Sequence, residues 1–85
     1  MKIYLNGEFV EKEQAKISVY DHGLLYGDGV FEGIRVYDGV IFKLKEHIDR
    51  LFDSATSLQI DIQTSKEEIS KIVIDTIRIN GLQED

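Results

Sequence analysis

Two hydrophobic periods divide the chain. As far as Phe42 the apolar residues come in short β-prone runs punctuated by turn residues, and from Leu44 onward they recur every three or four positions. The first runs, Lys2-Ile3-Tyr4-Leu5 and Glu8-Phe9-Val10, are joined by Asn6-Gly7. Both turn residues tolerate positive φ, so a type I′ hairpin is expected. A second hairpin is expected where Val30–Tyr37 meets Val40-Ile41-Phe42 across Asp38-Gly39. Between them a polar stretch, Glu11 to Lys16, leads to Ile17-Ser18-Val19-Tyr20. Then comes Asp21–Gly29, which carries three of the chain's seven glycines. Glycine at that density costs backbone entropy, so the loop is expected to need unusual dihedrals or close backbone approach. Leu44, Ile48, Leu51, Phe52, Ala55 and Leu58 form one helical stripe, with Glu46, Asp49, Arg50 and Asp53 largely off it. A second helix opens at Ser65-Lys66-Glu67-Glu68, a capping box, and its apolar face is Ile69, Ile72, Val73, Thr76 and Ile77. Gly81 is its stop. Strands first and helices after predict an α+β domain: a small antiparallel sheet built from hairpins with two helices packed on one face.

Composition narrows the classes. Eighty-five residues make at most one domain. With no cysteine there is neither a disulfide framework nor a Cys-based metal site, and a reducing, cytosolic setting is the expectation. A net charge of −6 argues against nucleic acid, which needs clustered Lys and Arg. No apolar run approaches the roughly 18–20 residues that span a bilayer, and Met-Lys-Ile-Tyr-Leu-Asn lacks the apolar stretch of a signal peptide, so no membrane partner is expected. The close of the chain, Ile77-Arg78-Ile79-Asn80-Gly81-Leu82, reads as a helix end and a new start before Gln83-Glu84-Asp85, the pattern expected of a piece of something longer.

The chemistry concentrates in Val30-Phe31-Glu32-Gly33-Ile34-Arg35-Val36-Tyr37. On an extended segment alternate side chains point to opposite faces. Val30, Glu32, Ile34 and Val36 then make the core side; Phe31, Gly33, Arg35 and Tyr37 make the other. Gly33 leaves a notch with Phe31 and Arg35 each about 7 Å away along the strand. A ring, an empty position and a fixed cation suit an amphipathic small molecule bearing a carboxylate. The same residues also describe an ordinary surface strand with a bulge at Gly33, the commoner case. Arg50 on a helix's polar side is, in most proteins, a solvated or weakly paired arginine. His22 and His47 lack a partner at metal-ligand spacing, so no metal site is expected. Ser18 and Ser54 have no placed base. The glycine loop lacks the phosphate-loop spacing and precedes a strand. The residues alone give a pocket wall without a catalytic group.

Asp21-His22-Gly23-Leu24-Leu25-Tyr26-Gly27-Asp28-Gly29-Val30-Phe31-Glu32-Gly33-Ile34-Arg35, followed by Glu46-His47-Ile48-Asp49-Arg50-Leu51, closely resembles the class IV pyridoxal-phosphate aminotransferases, and the branched-chain amino acid aminotransferases among them. The resemblance runs essentially the whole chain, so residues 1–85 are expected to be the N-terminal small domain of such an enzyme. It implies pyridoxal 5′-phosphate as cofactor and Arg50 as the arginine that holds its phosphate, a use suited to a guanidinium's fork of donors. Phe31, Gly33, Arg35 and Tyr26 resemble the small-domain residues bordering the substrate pocket. Phe31 and Tyr26 would enclose a branched aliphatic side chain, and Arg35 would orient pocket groups and interact with the acidic substrate, 2-oxoglutarate or glutamate. Arg50 is expected close enough to that face to grip the same cofactor.

One departure bears on activity. In the family a lysine in a larger C-terminal domain holds the cofactor and shuttles the α-proton. Lys2, Lys12, Lys16, Lys43, Lys45, Lys66 and Lys71 match no such position, and the Tyr-x-Arg block that follows in the family is also missing. No catalytic residue is therefore assigned within the chain, which is expected to be inactive without its large domain. The activity implied for the complete protein is transfer of the amino group of L-leucine, L-isoleucine or L-valine to 2-oxoglutarate. The alternatives are a D-amino acid aminotransferase or another class IV enzyme and, from a different class, a non-catalytic small-molecule-binding or interaction module. The implied partners are the amino acid and 2-oxo acid substrates, the large domain, and further copies of the protein in a homodimer or higher homo-oligomer, with apolar surface exposed when the small domain stands alone.

Overall fold

The computed structural model describes residues 1–81; the new start expected at Leu82, with Gln83–Asp85, lies outside the described residues. The first hairpin pairs β1 (Lys2–Leu5) with β2 (Glu8–Glu11), in the register Lys2 opposite Glu11 through Leu5 opposite Glu8. Asn6 and Gly7 adopt φ of 51° and 92°, the two positive values a type I′ turn requires. Tyr4 and Phe9, opposite each other, meet edge to face at 5.2 Å, the kind of cross-strand pair that stabilises a two-stranded ribbon. A short 3-10 turn, Lys12–Gln14, follows.

Asp21–Gly29, expected as an irregular loop, contains a five-residue helix, α1 (His22–Tyr26). Its signals are local. The Asp21 carboxylate accepts a hydrogen bond from the Leu24 N–H at 3.1 Å, and Gly27 ends the turn in the left-handed region at φ 73°.

The second hairpin is shorter than the hydrophobic run implied. Only β3 (Val36–Tyr37) and β4 (Val40–Ile41) pair, with Asp38-Gly39 as the turn, and the Phe42 N–H donates to the Arg35 carbonyl at 2.8 Å. Residues 30–35 are not paired in either sheet. The single small sheet expected is thus two separate two-stranded sheets within the same α+β class.

Two fourteen-residue helices complete the described fold, α2 (Leu44–Ser57) and α3 (Lys66–Ile79). On α2, Ile48 and Ala55 are 3% and 2% exposed, and Leu44, Leu51 and Phe52 are half-buried, so the stripe read from the periodicity faces inward. Leu58 falls just past the helix and is exposed. On α3 the expected face, Ile69, Ile72, Val73, Thr76 and Ile77, is half-buried throughout. Half of the capping box forms: Ser65 Oγ accepts the Glu68 N–H at 3.0 Å. Gly81 takes φ 65° at the stop. The helices pack on each other, and Asp49 ties them by accepting from Lys45 within α2 at 2.7 Å and from Lys66 of α3 at 3.1 Å.

One side chain hydrogen-bonds the first hairpin to the end of α3. Asn80 Oδ1 accepts the Lys2 N–H at 2.6 Å, and its Nδ2 donates to the Lys2 carbonyl at 2.8 Å and the Thr76 carbonyl at 2.9 Å. Replacing it removes this partner from both the part-buried backbone N–H and the backbone carbonyl of Lys2. Asn80→Ala is therefore expected to lower stability by about 1–3 kcal/mol. The loss should appear as a lower urea midpoint together with faster hydrogen exchange at the Lys2 amide; unchanged exchange there would show that the hairpin is held by other contacts.

Candidate functional site

The extended segment 30–37 presents two unlike sides. Val30, Glu32, Ile34 and Val36 are partly buried, while Phe31, Gly33, Arg35 and Tyr37 are exposed. Ile34 and Val36 face Ile72, Val73, Thr76 and Ile77 of α3 across an apolar hollow of about 280 Å³. The burial thus alternates along the segment as read from the sequence, including residues 30–34, which lie in neither sheet.

On the outward side Phe31 is 90% exposed. A Cβ built on Gly33 would meet no atom within 4 Å, and Gly33 has no positive φ, so neither this domain's packing nor its backbone demands glycine there. Arg35 reaches toward Tyr37, Nη1 to Oη at 3.4 Å, and Tyr37 meets Phe42 edge to face at 5.6 Å. Tyr26, at the end of α1, is also exposed, with its ring 4.8 Å from that of His22. His22 Nε2 in turn lies 2.7 Å from Asp28 Oδ2, closing the α1 loop on itself.

Arg50 is engaged from the inward side. Its Nε donates to Glu32 Oε2 at 2.9 Å and its Nη2 to Glu32 Oε1 at 2.6 Å, a bidentate pair. His47, one turn earlier on α2, places Nδ1 2.7 Å from the same Oε1. An ionised carboxylate only accepts, so that ring nitrogen carries the proton, and its 3.4 Å approach to Arg50 Nη2 is one donor beside another. The Glu32 side chain is only 9% exposed, whereas that of Arg50 is 66% exposed. Phe31, Gly33 and Arg35 thus share one side of the ribbon, while Arg50 is held through the residue on its other side. Lys43, Glu46, His47 and Arg50 line a hollow of about 190 Å³ beside it.

Hydrogen bonds from Arg50 first, then from His47, together with their charges, hold the Glu32 carboxyl down at about 2, against an ordinary value of 4.5. A carboxyl lowered on folding contributes stability that is complete above its unfolded pKa and is lost as pH falls through its folded one. The chain should therefore weaken between about pH 4.5 and 2. Asp49, held down by Lys45 and then Lys66, and Glu11, held down by Lys2, add to the same decline. In Glu32→Gln the decline should be shallower, though not absent. Urea midpoints measured from pH 5 to pH 2 check this, and parallel curves for parent and variant would contradict it.

Sequence reasoning missed Glu32 and His47. The signal was available: a carboxylate on the core side of a segment must find cations, and His47 and Arg50, three apart on one helix, present a pair.

The amino-transferase class IV family matches residues 29–84, well over half of the chain. The chain belongs to that family. It is 68% identical, over 99% of its length, to a putative branched-chain-amino-acid aminotransferase of Methanocaldococcus jannaschii, and covers 29% of that protein. It is 39% identical over 96% of its length to the D-alanine aminotransferase of Staphylococcus haemolyticus, again covering 29%. Among solved structures, a branched-chain amino acid aminotransferase complexed with N-(5′-phosphopyridoxyl)-L-glutamate superposes with a TM-score of 0.88 at 44% identity. That match covers 94% of this chain and 28% of that one. The chain therefore spans under a third of the length of these relatives.

A phosphopyridoxyl group asks for a fixed cation with several donors at its phosphate end. Arg50 fits: it is oriented by two bonds to Glu32, it is mostly exposed, and two of its five N–H groups are taken by that carboxylate. No lysine of the chain is assigned to the group's other end; Lys2, Lys45 and Lys66 are engaged with Glu11 and Asp49.

Proposed function

We propose that the protein carrying this chain is a branched-chain amino acid aminotransferase that uses pyridoxal 5′-phosphate to move the amino group of L-leucine, L-isoleucine or L-valine to 2-oxoglutarate. The chain is its small domain. The observation that carries this reading is the outward side of residues 30–37. An almost fully exposed phenyl ring, a glycine with open space and a guanidinium stand in alternation on a segment whose other side is folded into the domain. An exposed apolar ring beside a gap is a wall awaiting a ligand or a second body. The 68% identity to a putative branched-chain enzyme supports the substrate class.

The cofactor, when bound, supplies the electron sink for amino transfer. The chain's own part is to bind and to orient. Arg50 holds the phosphate, Tyr26 and Phe31 enclose the aliphatic side chain, Gly33 leaves room for it, and Arg35 faces the carboxylate of the acidic substrate. Val19, Tyr20, Leu24 and Leu25, all exposed here, are covered by the larger domain and a second subunit. The absence of cysteine suits a cytoplasmic enzyme.

The complete protein should turn over L-leucine with 2-oxoglutarate far faster than D-alanine with the same acceptor. The reverse preference would move it to the D-amino acid branch, to which a relative at 39% identity belongs. Neither activity would leave the small domain a binding module. In the same protein Arg50→Ala is expected to weaken pyridoxal phosphate by roughly a hundredfold, the loss of about 2–3 kcal/mol from one charged hydrogen-bonding group. Equilibrium titration followed by cofactor absorbance measures it, and an unchanged dissociation constant would remove Arg50 from the site.

A further inference from the structure

We infer that Glu32 and His47 are positioning residues for Arg50: the Glu32 carboxylate pins the guanidinium by its Nε and Nη2 edge, and the His47 Nδ1–H fixes the carboxylate, so that the outer donors are held out for an anion. This inference rests on reading Arg50 as the phosphate holder.

Three observations support it. The partners differ sharply in exposure: the side chain of Glu32 is 9% exposed and that of His47 16%, while that of Arg50 is 66%. A surface arginine on a helix samples many rotamers, and an inward anchor removes that freedom before any ligand arrives. The anchor is also doubly determined. Oε2 accepts from Nε at 2.9 Å, and Oε1 accepts from Nη2 at 2.6 Å and from His47 at 2.7 Å, so the carboxylate plane cannot turn without losing a bond. Finally, the parts come from two elements. Glu32 sits on the segment whose outward side carries Phe31 and Gly33, and His47 and Arg50 sit on α2. The pairing therefore fixes the phosphate-holding helix against the pocket-wall segment, which an arginine reaching from α2 alone would not do.

The carboxylate also carries a cost. A negative charge beside an anion site is unfavourable unless the guanidinium stands between them, and this gives Glu32 a sign that depends on Arg50. In the complete protein, Glu32→Gln should bind pyridoxal phosphate roughly ten- to a hundredfold more weakly, the range over which outer partners tune a ligand-holding group. In an Arg50→Ala background the same change should cost nothing or improve binding. A merely structural Glu32 would weaken both backgrounds alike. His47→Ala should show a smaller loss and His47→Asn should recover it, because the asparagine amide can donate where Nδ1 does. The His47 pair keeps the question open to test if Glu32→Gln does not fold.

An independent readout is the Arg50 Nε–H resonance in nitrogen-15 NMR, which should be slowed in exchange in the parent and lose that protection in Glu32→Gln. Equal losses in both backgrounds, or full affinity in Glu32→Gln where Arg50→Ala is impaired, overturns the pinning and leaves the phosphate role standing. Full affinity in Arg50→Ala overturns the phosphate role itself.

Discussion

Replacing Ile48 by alanine is expected to leave this chain largely unfolded. Ile48 and Ala55 are the buried hydrophobic residues among those described, two turns apart on the inner face of α2. The other apolar residues described are half-buried or exposed, so the domain has little reserve. Removing three carbons from an isoleucine that is only 3% exposed costs about 2–5 kcal/mol through lost burial and the cavity left behind. A domain of this size rarely holds more than about 3–5 kcal/mol in its core. The loss is therefore comparable to the whole stability, whereas Ile48→Val, at about 0.5–1.5 kcal/mol, should be tolerated. Urea titration followed by far-ultraviolet circular dichroism distinguishes them. An alanine variant that keeps the parent's midpoint would mean that the core lies elsewhere.

The two long helices are the most legible part of the chain, and Ile48 illustrates why. A stripe at 3.6-residue spacing can be buried only by a helix, and the Ser65 cap and Gly81 stop are written in residue types with narrow backbone preferences. The turns at Asn6-Gly7 and Asp38-Gly39 are legible for the same reason. Pairing is not. Residues 30–34 have the composition of a strand, but such a run does not say whether another strand lies beside it, and among the described residues none pairs with it. The helix α1 is hidden because three glycines outweigh a good aspartate cap in any local reading, although Gly27 stands where a helix stop belongs.

The site divides in the same way. Phe31, Gly33 and Arg35 can be placed on one side of the ribbon from alternation alone. Their relation to Arg50 cannot, since it depends on how α2 lies across the segment. The clue to that crossing is Glu32, a carboxylate in an apolar row, which by alternation is only one more core-side position. Asn80 is the extreme case. Its partner lies seventy-eight positions away, and nothing local distinguishes a helix-terminal asparagine that caps from one that also holds a hairpin.

Gly33→Leu should abolish most turnover of branched substrates while leaving the domain's stability within about 0.5 kcal/mol of the parent, the range of an exposed substitution away from strained backbone. The two halves of this prediction come from one observation. A Cβ at Gly33 meets nothing within 4 Å and the backbone is not in the left-handed region, so a side chain can start from this position without a clash at Cβ and without backbone strain. It must instead project between Phe31 and Arg35, each about 7 Å away along the ribbon, into the space assigned to the substrate's aliphatic end. A single methylene in such a pocket is worth roughly 10–200-fold in kcat/KM, so Gly33→Ala should already discriminate against leucine. Gly33→Leu should remove leucine turnover to the limit of detection, with small amino donors less affected than large ones. Measuring kcat/KM for leucine and for a two- or three-carbon amino acid, beside a thermal melt, separates a filled pocket from a damaged fold. Equal losses for both donors with an unchanged melt would place the obstruction on the cofactor rather than on the side-chain pocket, and undiminished leucine turnover would show that the gap at Gly33 is not part of the site.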